Sequence, residues 1–398
     1  MTATTAQLKQ RVVDAVDARR DRLIQLSDTL HAHPEIAFQE FKSAALLCDV
    51  LAAAGFAVER GIGGLETAFR AAAAGNGHGP TIALLAEYDA LPDLGHACGH
   101  NIIGTAAVGA ALAVQTVLKD LPGRVLVIGT PAEEGGGGKV ILVEKGVFAD
   151  VDAAMMVHPS SYTMVTRGSL ASFRLDIEFN GRASHAAATP EEGINALEAV
   201  ILTFNNINAL RLHLKGDSRV HGIITHGGSA INIIPDYAAA AFSIRSPQQA
   251  YAAEIVERVI ACAEGAARAT GAHLKTKVTP GYASIMPNIT MARRFADNWR
   301  SIGVEVRDPQ PNERMGSTDM GNVSQVVPAI HPYIAIAPEG TPGHSVEIRE
   351  ASASQAGHQG LINAAKAMAM TTVELMNEPQ LMEEVKKEFA ASVKKANH

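Results

Sequence analysis

The stretch Thr81-Ile-Ala-Leu-Leu-Ala-Glu-Tyr88 is short, almost wholly apolar and ends in polar residues. An apolar run without alternation marks a strand covered on both faces, as in the middle of a parallel sheet. Arg124-Val-Leu-Val-Ile-Gly-Thr130 and Asp152-Ala-Ala-Met-Met-Val157 share that character, with helical sequence between them at 102–119 and 138–146. Strand and helix alternating in this order predict a parallel α/β sheet. Upstream, 5–30 and 38–54 read as two helices, the second closed by Gly55.

Downstream the texture changes. Ser172-Phe-Arg-Leu-Asp-Ile-Glu-Phe179 alternates strictly, as a half-exposed strand does. A helix at 191–212, strands at 220–226 and 237–245, a helix at 250–270 and a strand at 273–279 complete a β-α-β-β-α-β unit. After 283 the α/β texture returns, with a strand at Tyr333-Ile-Ala-Ile-Ala337 and a helix over 352–376. The expectation is a parallel-sheet catalytic domain over 1–170 and 284–398, interrupted by an inserted domain over 171–283.

A length of 398 residues suits two domains, or three at most. With 47% apolar and 19% charged residues, the chain can bury a sizeable core and is not globally disordered. Acidic residues outnumber basic ones by 41 to 34 with no long basic run, so no nucleic-acid partner is expected. Cys48, Cys98 and Cys262 are too few and scattered for a disulfide framework and point to a reducing compartment. Residues 1–20 are polar and charged, unlike a signal peptide, and the longest weakly polar run, 102–114, is too short to span a membrane. A soluble, cytoplasmic protein without membrane contact follows as the expectation. Fifteen histidines beside one tryptophan hint at metal chemistry.

The most informative stretch is His96-Ala-Cys-Gly-His-Asn101. If it is extended, Cys98 and His100 project to the same side, and a thiolate beside an imidazole begins a zinc-type site. Alone, such a pair is commonplace, because buried free cysteines are frequent. Further donors come in matching contexts: Glu133-Glu134 directly after the strand at 124–130, His158 directly after that at 152–157, and His344 past that at 333–337. Sites in open α/β sheets form beyond the carboxyl ends of the strands, where these groups would converge. Adjacent side chains diverge, so Glu134 would hold a metal while Glu133 faces the attacking water as general base. Five mixed donors exceed the three of a mononuclear catalytic zinc and favour two ions sharing a bridge, best supplied by Cys98. Asp89 would either orient a ligand histidine or cap a turn.

Together with Asn180-Gly-Arg-Ala-Ser-His-Ala-Ala-Ala-Thr-Pro190, these motifs resemble the di-metal aminoacylase/carboxypeptidase family of amidohydrolases, which includes hippurate and auxin-conjugate hydrolases. The resemblance spans nearly the whole chain. It implies Cys98, His100, Glu134, His158 and His344 as ligands of two divalent ions, zinc or manganese, with Glu133 as catalytic base. It also implies that the inserted domain is a lid and dimerisation domain. His185 would then reach the partner subunit's active site in a homodimer and stabilise the oxyanion, while Asn232 and Arg245 hold the substrate carboxylate.

Two positions depart from the hippurate-hydrolase pattern: Glu87 and Asn101 stand where it has aspartate. With Gly129-Thr-Pro-Ala-Glu-Glu-Gly-Gly-Gly-Gly-Lys139 and Gly316-Ser-Thr-Asp-Met-Gly-Asn322, they look more like the branch of aminobenzoyl-glutamate hydrolase subunits and dipeptidases acting on β-alanyl or basic dipeptides. A phosphate loop at the glycines fails because Val140 stands where Ser or Thr is needed, and no Gly-x-Ser-x-Gly elbow occurs. The expected function is metal-dependent hydrolysis of the amide bond of N-acyl amino acids or dipeptides. The alternative is a non-catalytic or partner-dependent subunit on the same fold.

Overall fold

The computed structural model describes residues 3–310, 313 and 315–396. Helices α1 (Thr5–Asp17), α2 (Arg20–Ala32) and α3 (Phe41–Ala53) open the chain. The single helix expected over 5–30 is therefore two. Arg19 leaves helical geometry at φ −108°, ψ 5°, and the break lets Leu8, Val12 and Val16, then Leu23, Leu26 and Leu30, each face the core.

The main sheet begins with β1 (Ala57–Arg60), β2 (Phe69–Ala74) and β3 (Thr81–Ala86). After α4 (His100–Gln115) come β4 (Arg124–Gly129), α5 (Gly138–Glu144), β5 (Ala153–Met155) and β6 (His158–Ser160). The chain then builds β7 (Ala171–Asn180), α6 (Ala196–Arg211), β8 (Arg219–His226), β9 (Tyr237–Ser246), α7 (Gln249–Thr270) and β10 (His273–Pro280). It returns through α8 (Ile289–Ser301), α9 (Met320–Val326), β11 (Ala329–Ile330), β12 (Tyr333–Ala335) and α10 (Val346–Ala351), and ends in α11 (Gln355–Asn377) and α12 (Pro379–Ala396).

Six strands form the main sheet in the order β1-β2-β4-β3-β5-β11. Its β4, β3, β5 and β11 run parallel, as the apolar runs predicted. The β1–β2 hairpin adds an antiparallel edge, which makes the sheet mixed. The sequence carries no sign of this edge, because β2, Phe-Arg-Ala-Ala-Ala-Ala, lacks the branched apolar residues of a buried strand.

Side chains of β3 alternate between two cores. Ile82 and Leu84 join Val125 and Val127 against α4 and α11, whereas Ala83 and Leu85 join Leu126, Ile128, Leu142 and Val323 on the side of α5 and α9. Residues 100–114 of α4 are all buried, as their small side chains suggested. A Cβ on Gly104 would stand 2.7 Å from the Glu87 carbonyl oxygen, so this glycine lets helix and strand approach. Among the described residues no helix is long and apolar enough to cross a membrane.

The second sheet is antiparallel, in the order β10-β7-β9-β8. Leu175, Ile177 and Phe179 pack with Ala199, Val200, Ile255 and Val259 of α6 and α7 into a core of their own. Helix α6 starts later than expected, where the Asn195 side chain accepts the N–H groups of Leu197 and Glu198. Residues 190–192 form a separate 3-10 turn.

Candidate metal centre and active site

The cluster is built from the ends of main-sheet strands and the loops beyond them. Glu87 and Asp89 leave β3, Glu133 and Glu134 follow β4, His158 opens β6, and His344 lies between β12 and α10. Cys98 and His100 are not in an extended segment, as their spacing suggested. Gly99 takes a left-handed φ of 78°, and His100 is the first residue of α4. A Cβ at Gly99 would meet Pro159 Cγ at 2.8 Å, so this turn is a glycine position on both counts. A turn, rather than a pleat, brings the two side chains together.

Three overlapping triads result: Cys98–His100–His158, Cys98–Glu134–His344 and His100–Glu133–Glu134, the donor atoms of each within 4.8 Å of one another. Cys98 Sγ is 3.3 Å from His158 Nε2. His344 Nε2 is 3.3 Å from Glu134 Oε1, which lies 3.9 Å from His100 Nε2. His158 Nδ1–H donates to the Pro159 carbonyl at 2.6 Å, and His100 Nδ1–H donates to Asp89 Oδ1 at 3.0 Å. Both rings therefore turn Nε2 toward the cluster, the atom at which a metal ion would bind, at His100 in place of a proton. Asp89 Oδ2 also accepts the Glu134 N–H at 2.9 Å, so one carboxylate fixes two of the donors. His344 is the outlying member: it is exposed, has a left-handed φ of 55°, and is held by its N–H on the Ala97 carbonyl at 3.2 Å.

The electrostatics favour a cation. Burial pulls the His158 imidazole down to about 4, so the ring is neutral and able to ligate. Burial pushes the Cys98 thiol up, and Glu134 adds to this, so the sulfur becomes a thiolate only beside positive charge. Burial opposes the charging of His100, yet Asp89 and Glu87 outweigh it and hold this histidine well above its usual range. Burial, then Glu87 and Asp319, push Glu133 well above the ordinary carboxylate range. His100 Nε2 and Glu87 Oε2 are buried with no hydrogen-bond partner, and Glu134 Oε1 has only the His344 ring. Buried polar atoms left in this state are costly and fit a bound metal ion.

The cluster opens into a cavity of about 830 Å³ whose lining also includes Tyr162, Arg167, His331 and Tyr333, the rings of His331 and Tyr333 each 5.4 Å from that of His158. Arg167 lies over the rings of Tyr162 and Tyr333, with centroids at 5.5 and 4.9 Å. His185, Asn232 and Arg245 are absent from the cavity lining and exposed on the second sheet and its loops. His185 Nδ1 accepts the N–H groups of Ala187 and Ala188, which leaves Nε2–H as the donor, and the Asn232 carbonyl accepts the Ala186 N–H.

Four residues without an expected role also border the site. Lys139 Nζ lies between Glu87 and Asp319, and Tyr282 donates its hydroxyl to the Glu133 carbonyl at 2.7 Å. Lys139, Glu87 and Asp319 stand in the motifs that carry the resemblance, but nothing in the sequence joins them, and Tyr282 carries no signal.

The sequence profile of peptidase family M20/M25/M40 matches residues 83–352. The chain is 39% identical to the Xaa-Arg dipeptidase of Mus musculus over 96% of its own length and 92% of the relative's. It is 33% identical to one of the subunits of the p-aminobenzoyl-glutamate hydrolase of Escherichia coli K12, over 94% and 93% of the two chains. Among solved structures, a dinuclear metal-binding peptidase of the M20 family from Bacillus subtilis superposes with a TM-score of 0.75 at 23% identity, covering 91% of this chain and 99% of that one.

Proposed function

Since the chain belongs to peptidase family M20/M25/M40 and is thereby a metal-dependent hydrolase of amide or peptide bonds, we propose that it cleaves dipeptides or N-acyl amino acids at the Cys98 cluster. The observation that carries this is the meeting of Cys98, His100, Glu134, His158 and His344 in overlapping triads, with Cys98, Glu133, Glu134, His158 and His344 lining one cavity and His100 buried behind them. The two relatives are named for a dipeptide and for a glutamate amide, so the substrate end retained in both is an amino acid with a free carboxylate. Aminobenzoyl-glutamate-like and β-alanyl or basic dipeptides are accordingly the first substrates to try.

The cofactor in this reading is a pair of divalent ions, zinc or manganese, which Cys98, His100, Glu134, His158 and His344 would hold, the Cys98 sulfur belonging to two of the triads. When bound, such ions polarise the scissile carbonyl and lower the pKa of the attacking water. Glu133 accepts that water's proton and delivers it to the leaving amine. Tyr282 fixes the backbone from which Glu133 reaches, and Asp89 holds His100 and Glu134 in register. Asn232 and Arg245 take the substrate carboxylate, and His185 steadies the oxyanion. All three are exposed, so they act from a closed lid, residues 171–283, or from a partner subunit.

A homodimer is supported by β8, an edge strand that exposes Ile223 and Ile224 near the fully exposed Ile231. Sedimentation as a monomer at micromolar concentration counts against it. Three free cysteines suit a reducing compartment such as the cytoplasm.

The direct test is hydrolysis followed by mass spectrometry, with chelated and metal-restored enzyme on a panel of N-acyl amino acids, aminobenzoyl-glutamate and β-alanyl and α-dipeptides. Chelation is expected to abolish cleavage and lower the thermal midpoint, with both recovered by zinc or manganese. Activity indifferent to chelation refutes the metal centre. One relative is named as a subunit, which favours a second reading: an enzyme active only with a partner chain. Bound ions without turnover on any substrate select that reading.

A further inference from the structure

Glu87, Lys139 and Asp319 meet in one cluster, each with no measurable exposure. The alternation of β3 explains the meeting. Glu87 continues the face of Ala83 and Leu85, where Lys139 opens α5 and Asp319 precedes α9. Lys139 Nζ is 2.5 Å from Glu87 Oε1 and 2.6 Å from Asp319 Oδ1, and its backbone N–H donates to Asp319 Oδ2 at 3.0 Å. Asp319 thus holds Lys139 by two points and would anchor it alone. The contact with Glu87 adds a second buried carboxylate, a costly arrangement unless it serves the site.

The other oxygen of that carboxylate gives the reason. Glu87 Oε2 stands 3.3 Å from His100 Nε2, and neither atom has a hydrogen-bond partner. Two ligand atoms on a tetrahedral ion with bonds of ~2.0–2.1 Å lie about 3.3–3.4 Å apart. Glu87 is therefore at ligand spacing from His100 while its charge is engaged by Lys139. It is nevertheless absent from all three donor triads. Catalytic metal centres differ from structural ones in keeping a coordination position open.

Building on the reading of the Cys98 cluster as a metal centre, we propose that Lys139 is a positioning residue that withholds Glu87 from the cation at His100 and so keeps a coordination position free for substrate. Removal of the ammonium leaves Glu87 a buried, uncompensated carboxylate next to a cation, and it closes onto that cation. Metal is then held more tightly and turnover falls. A lysine that merely ties α5 to α9 gives the opposite result when removed, because a loosened site loses metal faster.

The test compares wild type with full-length Lys139→Met, both zinc-loaded and checked for fold by circular dichroism. Metal content by plasma mass spectrometry, the rate of zinc loss to a chelator, kcat and KM are the readouts. Expected for Lys139→Met are full zinc content, loss to chelator slowed at least tenfold, and kcat lowered at least tenfold. Adding Glu87→Gln to that variant is expected to reverse both shifts. Faster zinc loss, or shifts that Glu87→Gln does not reverse, overturn the proposal. If Lys139→Met does not fold, Asp319→Asn loosens the lysine without removing it and is expected to give the same two shifts at smaller amplitude; an unchanged chelation rate refutes the role. A wild-type chain that takes up no divalent ion overturns the metal reading and this inference with it, whereas normal loading beside a failed Lys139→Met result overturns only the role of Lys139.

Discussion

Glu133→Gln keeps its metal and loses almost all turnover, with kcat down by ~10²–10⁴-fold, the usual contribution of a positioned general base. The substitution preserves shape and removes only the basic oxygen. Glu133 belongs to one of the three donor triads, while its neighbour Glu134 belongs to two, so metal retention does not depend on Glu133. Burial and the carboxylates of Glu87 and Asp319 raise the proton affinity of Glu133, the direction that suits a group taking a proton from water. Quench-flow or endpoint product analysis gives kcat, and plasma mass spectrometry gives metal per chain. A variant within tenfold of wild type removes Glu133 from the role of base, and one stripped of metal makes it a ligand instead.

Cys98→Ala is expected to reduce bound metal from two ions per chain to fewer than one and to cut kcat by at least ~10³-fold. Its sulfur is common to the triad with His100 and His158 and to the triad with Glu134 and His344, so one deletion weakens both positions. The informative control is His344→Ala, which removes a donor of one triad only and is expected to leave about one ion in place. Equal metal loss in the two variants argues against a bridging thiolate. Full retention in Cys98→Ala removes the thiol from the metal's ligand set.

The fold was legible where burial leaves a compositional trace. The apolar run at Thr81 announced β3, and the strict alternation after Ser172 announced β7 of the second sheet. The alanine-rich β2 carried no such trace and was found only through its pairing with β4. At the site, adjacency to strand ends pointed to Glu133, Glu134 and His158, since topology alone gathers such residues. An extended backbone was the wrong reason for pairing Cys98 with His100, because Gly99 turns the chain in the left-handed region, against Pro159, where a side chain does not fit. The Lys139 cluster was illegible for a deeper reason. Its members come from three distant segments, and only the tertiary structure makes one lysine answer two carboxylates.

The left-handed, half-exposed His344 makes the cluster lopsided. Of the three triads, that of Cys98, His100 and His158 is seated against the core, whereas that of Cys98, Glu134 and His344 hangs on a residue at the rim, outside any helix or strand. In the reading proposed above, two ions held in this way would not exchange as a pair: the one on the buried histidines would leave slowly and the one at His344 quickly. Two-phase loss to a chelator is the expected trace of such an arrangement.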